Sequence, residues 1–181
     1  MKQFLGKYRG KVENNTDPSG RGRLQISVPL VLGKGKNSWA MPCVPYAGLD
    51  VGWFVMPPKG ANIWVEFEGG DPDYPIWTGC FWGEDELPKE ASGPKVKILK
   101  TKAITLQMID DDSDGGLLLK VDKPVVDKPL TIKLDKKGIS LINQTAKVIL
   151  DQNGIRLINN EQTIKLSQQN ILFNQGALEI S

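Results

Sequence analysis

The last third of the chain reads TIKLDKKGISLINQTA (residues 131–146), KVILDQNGIRLINNEQ (147–162) and TIKLSQQNILFNQGAL (163–178), and the three blocks align residue for residue. Steps of sixteen join Ile132 to Val148, Ile164 and Ile180, and Leu134 to Leu150 and Leu166. They also join Ile139 to Ile155 and Ile171, and Leu141 to Leu157 and Phe173. Side chains two apart share one face of a strand, so each block reads as strand, turn, strand, turn with two apolar side chains per strand pointing the same way. Gly138, Gly154 and Asn170 close the first turn of each block, and Gly and Asn are the residue types that most readily take a positive φ. A nested step of eight sets Asp135, Asn143, Asp151, Asn159, Ser167 and Gln175 after the strands, where such side chains bond their own backbone.

One such unit cannot bury its own apolar face, so the repeat is a stacking device that needs neighbours. A rung of eight residues is also short for one chain to close a hollow coil alone. The pattern predicts that three copies wind together into a shared prism, Ile and Leu inside and Lys, Gln, Asn and Ser outside. The alternative is a flat antiparallel meander covered by the rest of the chain.

Composition narrows the function classes. With 40% hydrophobic and 24% charged residues, the 181-residue chain has the make-up of a folded protein of one or two domains. A formal net charge of +2 gives no case for an obligatory polyanionic partner. No run of eighteen apolar residues occurs, and the start, Met1-Lys2-Gln3-Phe4-Leu5-Gly6, lacks the apolar core of a secretory signal. The expectation is assembly in the cytosol with no anchor of its own. The chain has no histidine, which removes Ser-His and Cys-His dyads, the commonest general base and the commonest transition-metal ligand. Cys43 and Cys80 lack C-x-x-C spacing and read as small buried thiols.

Residues 1–88 have a different texture, with all five tryptophans and short runs punctuated by Gly and Pro. Tyr8 to Val12, Arg23 to Pro29, Trp39 to Pro45, Asn62 to Glu68 and Pro75 to Trp82 read as strands, with Leu24, Ile26 and Val28 on one face. Five short strands with such turns predict a small closed barrel of the oligonucleotide/oligosaccharide-binding (OB) type. Residues 89–103 read as a connector. From 104 to 181 the expectation is a hairpin, Ile104–Met108 with Leu117–Val121, and then the repeats. The fold class is therefore all-β: an N-terminal OB-fold barrel followed by a C-terminal β-helical needle, intertwined as a homotrimer.

Few motifs point to chemistry. Asp110, Asp112, Asp114 and Gly115 match the opening of a calcium loop, D-x-D-x-D-G, but Val121 stands where a bidentate Glu is required, so the stretch reads as a solvated hairpin turn. Gly33-Lys34-Gly35-Lys36 lacks the spacing of a phosphate-binding loop. Glu66, Glu68, Asp71 and Asp73 are carboxylates without a cleft and read as an outward polar face. Lys7, Arg9, Lys11, Arg21 and Arg23 beside the tryptophans leave a second reading, an all-β oligomer whose barrel binds single-stranded nucleic acid or glycan. No catalytic, cofactor-binding or metal residues are assigned and no cofactor is expected. The site residues are the predicted trimer core, Ile132, Leu134, Ile139, Leu141, Val148, Leu150, Ile155, Leu157, Ile164, Leu166, Ile171, Phe173 and Ile180, with the repeat turns Gly138, Gly154 and Asn170.

Barrel and repeat together resemble the central spike proteins of contractile injection machines: the baseplate assembly protein V group of tailed phages and the barrel-plus-needle part of type VI secretion spikes. The resemblance runs through Gly10-Lys11-Val12, Asp17-Pro18, Gly22-Arg23-Leu24-Gln25-Ile26-Ser27-Val28-Pro29, Pro45-Tyr46-Ala47-Gly48 and Gly52. It continues through Met56-Pro57-Pro58-Lys59-Gly60-Ala61-Asn62-Ile63-Trp64-Val65-Glu66-Phe67, Gly69-Gly70-Asp71 and Pro75-Ile76-Trp77-Thr78-Gly79. It implies a non-enzymatic, membrane-piercing spike at the centre of a baseplate, a trimer docked under a trimeric hub at the end of the inner tube. It further implies a needle that meets the target envelope first, a PAAR-type cap at Leu178-Glu179-Ile180-Ser181, and residence in a virion or a contractile particle. Relatives that hold iron at the tip use histidines, which this chain lacks, and its connector is too short for the lysozyme domain that some relatives carry.

Overall fold

The computed structural model describes residues 2–174 and 177–180, with Glu179 and Ile180 described for their backbone alone; Gln175 and Ser181, named above in the polar step and at the strand end, lie outside the described residues. The chain divides into two compact units, Met1–Leu87 and Pro88–Ser181.

The first unit is a closed barrel of β1 (Tyr8–Asn14), β2 (Leu24–Ser27), β3 (Asn37–Pro42), β6 (Asn62–Phe67) and β7 (Pro75–Cys80), in the order β1-β2-β3-β7-β6 and back to β1. All pairs are antiparallel except β3 with β7. This is the five-stranded Greek-key barrel that the alternating sequence predicts. Alternation turns Val12, Leu24, Ile26, Val28, Ala40, Ile63, Val65, Phe67 and Trp77 inward, where they form the core. Gly10 is required by the close approach of β1 and β2, because a Cβ there would stand 2.9 Å from the Ser27 carbonyl oxygen. One helical turn, α1 (Pro29–Leu32), links β2 to β3 where the sequence reading ran from strand to loop. Among the described residues no helix is long and apolar enough to cross a membrane. A two-stranded arm, β4 (Ala47–Gly48) and β5 (Val51–Gly52), leaves the end of β3, and every residue from Pro45 to Val55 is exposed.

The loop from Asp17 to Arg23 is closed by a single carboxylate. Asp17 accepts from the backbone N–H of Ser19, Arg21 and Arg23 and takes the Arg23 guanidinium at 2.9 Å. The same guanidinium stacks 5.2 Å from the Trp39 ring centre. Arg23 above all, and then the three N–H donors, hold the Asp17 carboxyl far below the ordinary carboxylate range. A folded-state pKa below the unfolded one stabilises the fold above the ordinary value near 3.8 and loses that contribution as pH falls beneath it. Asp17→Asn is therefore expected to lower the barrel's melting temperature at neutral pH and to flatten its decline between pH 4 and 2. Parallel melting curves for the parent and the variant across that window would refute the role given to Asp17.

The second unit is one ten-stranded antiparallel sheet in which every strand pairs with its sequence neighbours. Its strands are β8 (Val96–Lys100), β9 (Ile104–Ile109), β10 (Gly116–Val121), β11 (Leu130–Asp135), β12 (Gly138–Asn143), β13 (Ala146–Asp151), β14 (Gly154–Asn159), β15 (Gln162–Leu166), β16 (Ile171–Phe173) and β17 (Leu178–Ile180). Residues 89–103 are thus not a plain connector, since β8 enters the sheet against β9. The single chain forms a meander where the sequence reading expected winding between copies. The reason lies in the corners. Pairs Asp135↔Gly138, Asn143↔Ala146, Asp151↔Gly154 and Asn159↔Gln162 leave only two residues in each loop, so the chain reverses onto itself. From β9 to β16 both ladder edges of each strand are filled by the same chain, so a second copy can meet these strands only through the faces of the sheet.

Candidate functional site

The register gathers the predicted core residues onto one face. Ile132, Leu141, Val148, Leu157, Ile164, Phe173 and Leu178 are successive cross-strand partners. So are Leu134, Ile139, Leu150, Ile155, Leu166, Ile171 and Ile180. Both rows extend toward β9, with Leu119 and Leu106 joining the first and Leu117 and Met108 the second. Directly opposed apolar side chains are the unit of sheet stabilisation, and here they form two unbroken lines across the strands.

The face is nonetheless bare. Ile132, Leu134, Ile139, Leu141, Leu150, Ile155, Leu157 and Leu166 are each 36–41% exposed, and Val148, Ile164, Ile171 and Phe173 are half-buried. In β12 and β14 the apolar rows are the exposed positions and the alternate residues the half-buried ones. The predicted core is thus a surface of the single chain. Beyond the first row a third line runs from Ile104, Val121 and Leu130 into Asn143, Ala146, Asn159 and Gln162, so one margin changes from apolar to amide.

The corners are fixed by backbone proximity. Gly138 (φ +124°) and Gly154 (φ +112°) open β12 and β14, and a Cβ on them would stand 2.0 and 1.9 Å from the carbonyl oxygens of Leu150 and Leu166. Gly116 holds the same place at the start of β10, against Leu134 O, outside the sixteen-residue step and hidden behind the acidic loop. Asn170 departs from the expectation. It is absent from the positive-φ residues and instead closes a turn with Ser167, whose backbone N–H donates to Asn170 O at 3.0 Å. Positive φ falls to Gln144, Asn160 and Asn174 at the alternate corners, which the sequence reading did not single out.

The opposite face is cationic with isoleucines between. Lys133, Ser140, Ile149, Arg156 and Lys165 form one line, and Ile142, Lys147 and Ile158 part of another. Lysine stems shelter apolar neighbours while their charges stay in water, which suits Lys147 between two isoleucines. Arg156 and Lys165 are direct partners and would repel, but Arg156 pairs with Asp151. The backbone N–H of Asn153, then Arg156, lowers the Asp151 carboxyl below its usual range; Lys133, then the Lys137 N–H, does so for Asp135.

The acidic loop holds its own partners. Asp111 receives Lys95 at 2.6 Å, the Ser113 hydroxyl and backbone N–H groups, and these donors, Lys95 foremost, drive its carboxyl well below the ordinary range. Asp110 pairs with Lys97. Among the described residues no three His, Cys, Asp or Glu side chains are grouped to hold a metal ion.

On the barrel, the cations that motivated a nucleic-acid reading are mostly occupied. Lys7 pairs with Glu66 at 2.7 Å, Lys11 donates to the Asn62 side chain at 3.0 Å, and Arg23 is held by Asp17. Arg9 lies 5.7 and 5.5 Å from the ring centres of Trp64 and Phe81, so its guanidinium is already stacked. Both cysteines are free and exposed rather than buried: Cys43 follows the end of β3, and Cys80 is the last residue of β7.

The barrel closes in the order β1-β2-β3-β7-β6, with β3 parallel to β7. Residues 8–82 match the Type VI secretion system/phage-baseplate injector OB domain. The match to this injector domain begins at the first residue of β1 and ends two residues past β7, so it takes in the whole barrel and its arm. It spans less than half of the chain and leaves the ten-stranded sheet outside. No curated protein matches the chain.

Proposed function

We infer that the chain is the structural spike at the centre of the baseplate of a phage-tail-like contractile injection system, three copies packing their sheets into one rigid needle. The observation that carries this reading is the apolar face, eight Ile and Leu side chains 36–41% exposed in rows with a sixteen-residue period. A partner covering it must repeat every two strands, about 9.5 Å, and a second copy laid alongside has that repeat. Burying the remaining two-fifths of eight such side chains contributes about 5–10 kcal/mol per chain.

Strand length bears on the number of copies. Strands of six residues span about 20 Å, and three faces of that width enclose a triangle whose sides lie about 6 Å from the axis, near half the ~10 Å spacing of packed sheets. Four would leave an open channel. Two copies in a sandwich are the competing arrangement.

In this reading the barrel, similar to injector OB domains, joins the trimeric hub of the inner tube, and the needle leads into the target envelope. A PAAR-type cap covers the strand ends beyond Leu178. The protein is then part of a virion or contractile particle, and its work is mechanical rather than enzymatic: ladders continuous through ten strands resist bending under axial load. Occupied cations on the barrel weigh against the alternative role of binding single-stranded nucleic acid or glycan.

Native mass spectrometry over a dilution series tests the reading. Three chains of 20.0 kDa that stay together in mild detergent are expected. A monodisperse single chain at micromolar concentration sinks the needle, and a dimer replaces the prism with the sandwich.

A further inference from the structure

The arm of the barrel unit exposes six large apolar residues, with Leu49 at its tip 98% exposed and Phe54 77%. The arm is ordered: Asp50 takes φ 58° in the two-residue turn, and the Trp53 N–H donates to Tyr46 O at 2.9 Å. A two-stranded ribbon this short is marginal in water by itself, and an apolar patch of this extent marks a contact surface. Its tip joins one bare leucine to one carboxylate, and Asp50 makes no ion pair among the described residues.

The complement sits at the other end of β3. Leu30 on α1 is 82% exposed, and the turn that follows presents Lys34 and Lys36, both exposed and in no ion pair among the described residues. Six residues of β3, about 20 Å of strand, separate the two patches. With Leu49 left bare in the folded chain, they do not meet within one copy.

We propose that the arm is a clasp between copies of this chain, Leu49 and Asp50 of one barrel seating on Leu30 and the Lys34–Lys36 turn of the next. The contact joins two different patches, so it is head-to-tail and closes when three copies stand round one axis; it rests on the three-copy reading above. Sheets already packed together raise the effective concentration of the barrels, so a modest clasp is filled.

The test uses the full-length chain with Cys43→Ser and Cys80→Ser, so that only introduced thiols react. Because a disulfide demands Cα atoms within about 7 Å, Leu30→Cys combined with Leu49→Cys reports direct contact. Mild oxidation is expected to give covalent dimers and trimers from the double variant and none from either single variant. Adding Asp50→Lys is expected to slow cross-linking about three- to fivefold, and Lys34→Glu with Lys36→Glu to restore it. A sample that is trimeric by mass yet yields no Leu30–Leu49 cross-link overturns the clasp, assigns the arm to a different partner and leaves the needle standing. Covalent dimers from a single variant overturn it in favour of a symmetric contact. A sample of single chains overturns both.

Discussion

Replacing Leu141 and Leu157 together by Asp is expected to convert the proposed three-copy assembly into single chains whose barrels and sheets remain folded. Both side chains lie in the first apolar row, on either side of Val148, and both are 41% exposed in the single chain. A carboxylate at either position therefore keeps its water while the chain is alone and costs the isolated sheet little. Between packed copies the same carboxylates would be buried without partners, at several kcal/mol each. Two of them per chain cost about as much as the 5–10 kcal/mol that the face contributes per chain, and the two leucines they replace no longer contribute to it. Sedimentation velocity should show the native mass reduced to that of one chain, with the far-ultraviolet circular dichroism of a β protein retained. Ser140→Asp, on the opposite face, is the control and should leave the mass unchanged. A double variant that sediments like the parent would remove this face from the interface.

The second large effect is on folding. Gly138→Ala would force a methyl group to within 2.0 Å of the Leu150 carbonyl oxygen, a contact that no rotamer relieves because a Cβ has none. The backbone at φ +124° is also one that L-residues rarely adopt. Strain of about 1–3 kcal/mol for the conformation plus displacement of the strand brings the expected loss to about 3–5 kcal/mol. Gly93, at φ +143° with nothing near its Cβ position, separates the two causes. Gly93→Ala carries the conformational cost alone and should lose no more than about 1–3 kcal/mol. Denaturant midpoints of the second unit would measure both. Equal losses at the two positions would mean that the close carbonyl contributes nothing.

Much of the second unit was legible because its register leaves few choices. With two-residue loops and a side-chain period of two, a step of sixteen returns a residue to the same row two strands on, so Ile132, Val148 and Ile164 had to line up. What covers the row was not legible, since an apolar line reads the same whether its partner is the same chain or a copy. The repeat predicts winding between copies, whereas the two-residue loops at Gln144-Thr145 and Asn160-Glu161 turn each strand back onto its own chain. Strand β8 was missed because Lys95, Lys97, Lys100 and Lys102 give its stretch the look of a solvated link, although Val96 and Ile98 still alternate with lysine. Cys43 and Cys80 keep apolar company in sequence, but one lies just past the end of β3 and the other at the last residue of β7, where both are exposed. The arm does have a signature in the sequence: from Pro45 to Pro57 the only charge is Asp50.

Filled ladders from β9 to β16 mean that each copy can finish its own sheet before it meets another. In the proposed needle, encounter resembles the closing of three ready-made panels, and the extent of the panel is a matter of counting. Inserting one more sixteen-residue block adds two strands and about 9.5 Å of reach without asking the neighbouring blocks to change. A gene that duplicates or deletes such blocks has in them a ruler for the length of the sheet.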